Sequence, residues 1–403
     1  MSNARTNRKK NLSVYHSLES LEDRRLMTTQ PTSWDLVSTT DSAYNGVPDS
    51  GPSTGSYYSI RALVEYYNTE YNGEANQPFT IVLGNGTYTL SEVNPSLPTN
   101  GWEGRNDNSN YYGDLDINPS KTGAKLIIQG PVGGSAVLTC SIVDSMAPLD
   151  RLIQVTGSLQ LQNVTLKGGL AWDNGNGSEA TDALGGAVLV NPGGILSLSN
   201  CKISSNAASA TRSTHYGIAG LNAAGGGIYG SAGSNITLSG SNVFNANRAI
   251  AGKGGTSSTS NGLSGGNAFG AGLSMVADVS EPGPYSSSEI IPSTQLSINA
   301  ESGTNTSFTD NRLNSYINTQ GGVENSGGTG GAGSGTGGKG GNASGAGLYV
   351  GSGQLNLNGG STNSPITFVG NQARGGSGAI TTTGVSGANG TAYGAGVYTL
   401  RGH

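Results

Sequence analysis

Apolar and polar positions alternate in short runs over most of the chain beyond residue 120. The segments Ile195-Leu196-Ser197-Leu198-Ser199, Asn235-Ile236-Thr237-Leu238-Ser239 and Gln354-Leu355-Asn356-Leu357-Asn358 each carry apolar side chains two apart, the period of a half-buried strand. Residues 185–208 show one unit: a run from Ala187 to Val190, a Pro-Gly-Gly turn, a run from Ile195 to Leu198, a corner at Asn200, a run from Cys201 to Ser204, then Asn206. Three runs and three corners predict one coil of a solenoid. Unit starts at Gly185, Gly225, Gly270, Gly345 and Gly394 lie 40, 45, 75 and 49 residues apart. Such unequal spacing suits a stack whose strands are held by the coils above and below while outward loops lengthen, at ~0.6 kcal/mol per doubling. Insertions are expected near 207–223, 252–267 and 321–345. The last two, "GKGGTSSTSNGLSGGN" and "GGVENSGGTGGAGSGTGGKGGNASG", have no apolar period and read as flexible surface loops.

Upstream the period changes. In "YSIRALVEYYN", Ile60, Leu63, Val64 and Tyr67 share one helical face behind Ser59, predicting a short amphipathic helix with a serine N-cap. "FTIVLGNGTYTL" predicts two strands, Phe79 to Leu83 and Thr87 to Leu90, around the turn Gly84-Asn85-Gly86. Residues 31–120 are therefore assigned to an N-terminal cap and first coils, and residues 121–403 to the solenoid proper. Residues 1–30 stand apart as a leader, basic and polar at "MSNARTNRKKN" and lacking the apolar stretch of an ordinary signal peptide.

A second pattern runs through the solenoid. Phe244 and Asn247, Phe308 and Asn311, and Phe368 and Asn371 repeat one F-x-x-N frame, which takes three of the chain's five phenylalanines. Each copy follows a small-residue tripeptide and an aliphatic residue: Gly225-Gly226-Gly227-Ile228, Gly270-Ala271-Gly272-Leu273 and Gly345-Ala346-Gly347-Leu348. In a stack rising ~4.8 Å per coil, equivalent residues lie on one another. An inward column of phenylalanine rings and a ladder of asparagine amides are the expected result. Glycine at the bend supplies positive φ and close backbone approach.

The pairing of "GG[AGS][ILV]" with "FxxN" resembles the repeats of the chlamydial polymorphic outer-membrane proteins over roughly residues 150–403. A weaker copy stands at Gly185-Gly186-Ala187-Val188 with Ile203 to Asn206, where Ile replaces Phe. The block from "SIRALVEYYN" to "GDLDI", residues 113–117, resembles the N-terminal block of secreted bacterial β-helix proteins; Tyr58 stands where those often have Cys, and Tyr66-Tyr67 replace smaller residues. Leu21 to Met27, "LEDRRLM", resembles the segment that opens many large surface or secreted proteins of planctomycete bacteria. These resemblances imply an all-β chain: a single right-handed parallel β-helix, pectate-lyase-like, with an N-terminal capping segment, long Gly-rich loops and an exported location, secreted or at the cell surface. The membrane barrel of the outer-membrane family is not expected, because no C-terminal series of alternating ~10-residue barrel strands follows.

Composition narrows the function classes. Glycine supplies 68 of 403 residues while charged side chains make up 11% and aromatic ones 6%, a profile unlike that of a compact α/β enzyme. Glycine does not recur every third position, which removes a collagen helix. The formal charge is −5, and beyond residue 27 there are 14 basic against 22 acidic side chains, so nucleic-acid binding has no electrostatic basis. No run approaches the ~18–20 apolar residues of a membrane-spanning helix. Cys140 and Cys201 lie in alternating stretches as buried free thiols rather than a disulfide or metal pair.

Candidate chemistry is thin. His16, His215 and His403 fall in the leader, a loop and the terminus, and form no nucleophilic or metal constellation. Lys339 follows glycines but lacks the hydroxyl residue of a phosphate-binding loop. The strongest carboxylates are Asp114 and Asp116, sharing a strand face, and Asp144 and Asp150, with Arg151 beside Asp150 as a local ion pair opening a strand. Paired carboxylates serve glycoside hydrolysis or calcium binding, so a polysaccharide lyase, glycoside hydrolase or polysaccharide-binding protein stands as the competing function. The favoured expectation is a non-enzymatic, structural or adhesin-like rod with no catalytic, cofactor or metal residues, whose partners are polysaccharide or cell-surface and matrix components. The ending "AYGAGVYTLRGH" opens a coil at Gly394 without completing it. That pattern leads to the expectation of end-to-end self-association or of a fragment of a larger surface protein.

Overall fold

The computed structural model describes residues 33–34, 37–41, 58–71, 77–90, 110, 113–120, 124–140, 150–175, 181–210, 219–257, 261–275, 294–313, 329–333, 336–358, 363–379 and 385–400. The leader, His16, Asp144, His215 and His403 lie outside the described residues. Every strand pairing is parallel, and each strand pairs with its counterpart in the next repeat, which makes the chain an all-β parallel solenoid. The sheets contain eight, seven, seven, five and five strands, with a two-stranded addition formed by Val37–Ser38 and Tyr58–Ser59.

The first coils have the expected three strands, for example Lys125–Gln129, Ala136–Cys140 and Ile153–Val155. From Leu170 onward a coil has five: Ile195–Ser199, Lys202–Ser204, Ala207–Ser209, Ala223–Ala224 and Ile228–Gly230. The two extra strands hold two or three residues, mostly alanine, too short for any apolar period to announce them. Alanine is also why they sit where they do. Ala183, Ala223, Ala268 and Ala343 stack in one column, fully buried, and Ala171, Ala208 and Ala249 in a facing one. Together they form a second, thin core beside the main one built from Leu, Ile, Val and Phe.

Register carries both cores. Leu159, Leu196, Ile236, Leu296 and Leu355 occupy one column, and Leu161, Leu198, Leu238, Ile298 and Leu357 the next. The expected aromatic column is present: Phe244 lies on Phe308 with ring centroids 4.6 Å apart and planes 9° apart, and Phe308 on Phe368 at 4.8 Å and 8°. Ile203 occupies the same column one coil earlier, so the weaker copy keeps the position. The asparagine ladder runs beside it. Asn206 Nδ2 donates to Asn247 Oδ1, Asn247 Nδ2 to Asn311 Oδ1, and Asn311 Nδ2 to Asn371 Oδ1, each at 3.0 Å. Each amide also donates to a main-chain oxygen of the preceding coil, as Asn311 does to Phe244 O at 2.9 Å. Each Oδ1 accepts a second bond, from a backbone N–H of the previous coil. All hydrogen-bonding groups of a buried amide are thereby used.

The tripeptide and the F-x-x-N frame travel together for a steric reason. The first glycine adopts φ of 64°, 48° and 63° at Gly225, Gly270 and Gly345, the left-handed bend that glycine permits. The third lies under the ring: a Cβ on Gly272 would stand 3.1 Å from Phe308 Cδ1, and one on Gly347 would stand 2.9 Å from Phe368 Cδ1. At both places the atom nearest that Cβ is a carbonyl oxygen of the next coil, Gly347 O and Gly396 O respectively, so main-chain approach and the ring together favour glycine there.

The Gly-rich stretches correct the expectation of flexible loops where they are described. Gly254 N donates to Thr329 O, Gly331 N to Leu263 O, Gly338 N to Gly331 O, Gly340 N to Ala388 O and Gly390 N to Gly376 O, at 2.8–2.9 Å. A Cβ added to Gly262, Gly331, Gly338, Gly341 or Gly390 would collide with a carbonyl oxygen of an adjacent segment. These stretches are main chain packed on main chain, and the lack of side chains that hides them from periodicity analysis is what lets them approach.

At the other end, helix α1 (Ile60–Thr69) closes the stack, its start capped by Ser59 Oγ accepting from Ala62 N at 3.0 Å. Tyr66, Tyr67 and Tyr71 surround Phe79 with centroids 5.1–6.1 Å away, so the tyrosines that depart from the resembled pattern fill the cap. Arg61 is bound to Asp41, with Nη2 to Oδ2 at 3.0 Å, and donates to the main-chain oxygens of Gly113 and Asp114.

Two substitutions test the stacking. Asn311→Ala strands the Asn247 N–H and the Phe244 carbonyl and is expected to cost ~1–3 kcal/mol for each buried group left unpaired. Gly338→Ala forces main chains apart and is expected to cost ~1–3 kcal/mol. Gly84→Ala is the control, because its added Cβ meets nothing nearer than Tyr88 Oη at 3.8 Å. Denaturant unfolding of the variants should show both losses and an unchanged control.

Candidate functional site

The one concentration of charge in the described solenoid lies beside the cap. Leu115 and Ile117 point into the core and Asp116 between them faces the other way, while Asp114, expected on the same strand face, stands just before the strand and is fully buried. Asp116 pairs in register with Gln154, and Asp150 and Arg151 precede the strand that carries Gln154. Asp173, which the sequence does not single out, enters from the turn after strand Leu170–Ala171.

These residues converge. Arg151 Nη2 donates to Asp173 Oδ1 at 2.7 Å and to Asp173 O at 3.0 Å, while Arg151 Nη1 lies 3.9 Å from Asp114 Oδ2. Asp150 Oδ1 accepts from Arg151 N at 2.7 Å, and Asp116 Oδ2 accepts from Asn110 N at 3.1 Å. The expected local Asp150–Arg151 ion pair is thus corrected: Asp150 holds the arginine's backbone, and the guanidinium reaches across coils to Asp173 and Asp114. Neighbours in sequence on an extended segment point apart, whereas residues on successive coils meet.

Three carboxylates, Asp114, Asp150 and Asp173, surround one guanidinium, with Asp116 beside Asp114, and burial decides their state. Asp114 is 0% exposed, Asp150 6% and Arg151 1%. Burial pushes the Asp114 carboxyl well above the usual range, Asp116 and Asp150 push it further, and Arg151 opposes them. Asp150 is pushed up to about 7, again mainly by burial, with Arg151 opposing and Asp173 adding to the rise. For Arg151 burial disfavours the charge, but Asp114, Asp173 and Asp150 more than offset it and hold the guanidinium ionised. Burial thus favours the protonated form of Asp114 and Asp150. Both cysteines are free thiols, as expected, pushed up to about 11 by burial, which keeps them unreactive.

Only the edge of the cluster reaches solvent. A cleft of about 350 Å³ is lined by Asp116, Asn118, Gln154, Thr156, Asn174, Gly175, Asn191 and Pro192. Its residues come from three successive coils, so no local motif could have announced it; the only signal is the vertical register of Asp116, Gln154 and the residues after them. Among the described residues no group of three or more His, Cys, Asp or Glu side chains is placed to hold a metal ion. Lys339 belongs to the glycine array, where its main-chain oxygen accepts from Gly265 N at 2.9 Å. No described helix is long and apolar enough to cross a membrane. Comparison with protein-family models, with curated proteins and with solved structures finds no match to this chain.

The buried cluster makes stability depend on pH with a definite sign. The folded Asp150 pKa, about 7, lies above its unfolded value of 3.8, so its contribution is full below that lower value and is lost as pH rises through the higher one. The thermal midpoint should therefore fall between about pH 5 and about pH 8, and Asp150→Asn, which keeps the acceptor for Arg151 N, should flatten the fall. Melting curves across that range check it; a midpoint that rises with pH contradicts the raised Asp150 pKa.

Proposed function

We propose that the chain is an exported, non-enzymatic rod of the cell surface or extracellular space, a single right-handed parallel β-helix whose loops and faces contact matrix or cell-surface components. The observation that carries this reading is the burial of the charge cluster. Asp114, Asp150 and Arg151 are enclosed beside the cap, so a polymer lying along the rod would not reach them. Asp116, the one member that lines a cleft, is occupied in part by Asn110 N. A lyase or hydrolase needs paired reacting groups presented to substrate.

The finer fold reading is supported by the order in which the chain visits its three larger sheets, which the widened coils keep while adding two short strands, and by the strong right-handed preference of parallel crossovers. Export is supported by the resemblance of Leu21 to Met27 to a planctomycete leader. The runner-up, polysaccharide binding, is favoured by the polar cleft. Contact with a second copy is supported by two exposed apolar side chains, Leu357 at 50% and Val369 at 61%.

Two measurements test the proposal. Purified protein incubated with acidic and neutral polysaccharides, with and without calcium, is expected to release no product; turnover of any of them would replace the rod with an enzyme. Light scattering after size-exclusion chromatography is expected to show mass rising with concentration, and a monomer throughout would remove the end-to-end contact.

A further inference from the structure

We propose that the cleft over the capped end binds a cationic amino sugar, its ammonium group at Asp116 and its hydroxyls on the surrounding amides. The inference rests on the matrix-contact reading for its choice of a glycan as ligand, and on the cleft itself for the chemistry.

The walls are almost wholly polar. Asn118, Gln154, Thr156, Asn174 and Asn191 supply amide and hydroxyl groups, Asp116 a carboxylate, and Pro192 the one apolar side chain. Among the described residues no cationic side chain lines the cleft, and the nearby Arg151 is turned to Asp173 and Asp114. Asp116 is the one charged side chain among the described lining residues, so the local balance there is negative. The cleft also holds an unmet acceptor: Asn174 Oδ1 is shielded from solvent and takes no hydrogen bond. Deeper in, neither oxygen of the fully buried Asp114 takes one. A site with this imbalance favours a ligand rich in donors and carrying positive charge.

Size and wall chemistry narrow the class. About 350 Å³ lies at the low end of small-molecule sites and admits one sugar ring. An alkyl ammonium such as lysine would need apolar surface for its methylene stem, and one proline offers little. A hexosamine with a free amine instead places hydroxyls where the asparagine, glutamine and threonine groups can pair with them. N-acetylation removes the charge and adds a methyl group that no wall accommodates. The glycans implied are polymers with unsubstituted amino sugars.

The test is calorimetric titration of the full chain with glucosamine, glucose, N-acetylglucosamine and lysine at about pH 6, below the ordinary range of an amine. Glucosamine is expected to bind at least about tenfold more tightly than the other three, the effect of one charge-assisted contact. Asn118→Lys, at an exposed position on the rim, places a competing ammonium there and should weaken glucosamine at least about tenfold without altering the melting curve. Asp116→Asn should do the same to affinity. No binding of glucosamine, equal binding of glucose or lysine, or unchanged affinity in Asn118→Lys would each overturn the assignment. Those outcomes leave the rod standing if the polysaccharide panel stays inert, whereas turnover in that panel removes the rod without touching the cleft.

Discussion

Asn311 uses its whole amide on neighbouring coils: two donors go to Phe244 O and Asn371 Oδ1, and its oxygen accepts from the backbone and side chain of Asn247. Such a pattern exists only if equivalent residues lie directly over one another. In-register stacking is the constraint on which the rest of the structure depends. A slip of one residue would turn the Leu and Phe columns outward and leave a row of buried amides unpaired. The ladder is thus a check on register as much as a source of stability.

From that constraint two different ways of filling space follow. Where side chains stack, leucine columns and phenylalanine rings build a core of ordinary density. Where they are absent, as at Gly254, Gly331 and Gly338, the main chains close on one another and satisfy their own N–H and C=O groups. The alanine columns of the widened coils lie between these extremes. A second ladder marks the same widening: Asn222, Asn267 and Asn342 each accept from a backbone N–H one coil further along, namely Asn267, Asn342 and Thr391. The wide and narrow parts of the solenoid therefore share one stacking rule.

The charged cap obeys a different logic. A solenoid end exposes apolar core, and α1 with Arg61 and Asp41 covers it at one end. Asp114 to Asp173 sit where the three-strand coils widen to five, and one guanidinium ties three successive coils together there. A buried pair of this kind adds little net stability but is costly to break, which suits a junction that must form one way. The polar cleft above it is the consequence of placing that junction near the surface.

How much of this the residues announced depends on whether their signal is local. The strands at 195–199, 235–239 and 354–358, the helix at 60–69 with its Ser59 cap, and the Phe and Asn columns were legible, because period and repetition express which side faces inward and which residues meet. The alanine strands and the glycine array were not, since chains with little or no side chain show no period. The period placed Asp116 opposite Leu115 and Ile117 but did not announce the burial of Asp114, and Asp173, Gln154 and Asn174 joined them only through the stacking of coils. The repeat determined that equivalent positions would coincide. Which unlike positions met across coils, and so where charge and cleft lie, was decided by the width of each coil, a property of tertiary packing that no single stretch of chain contains.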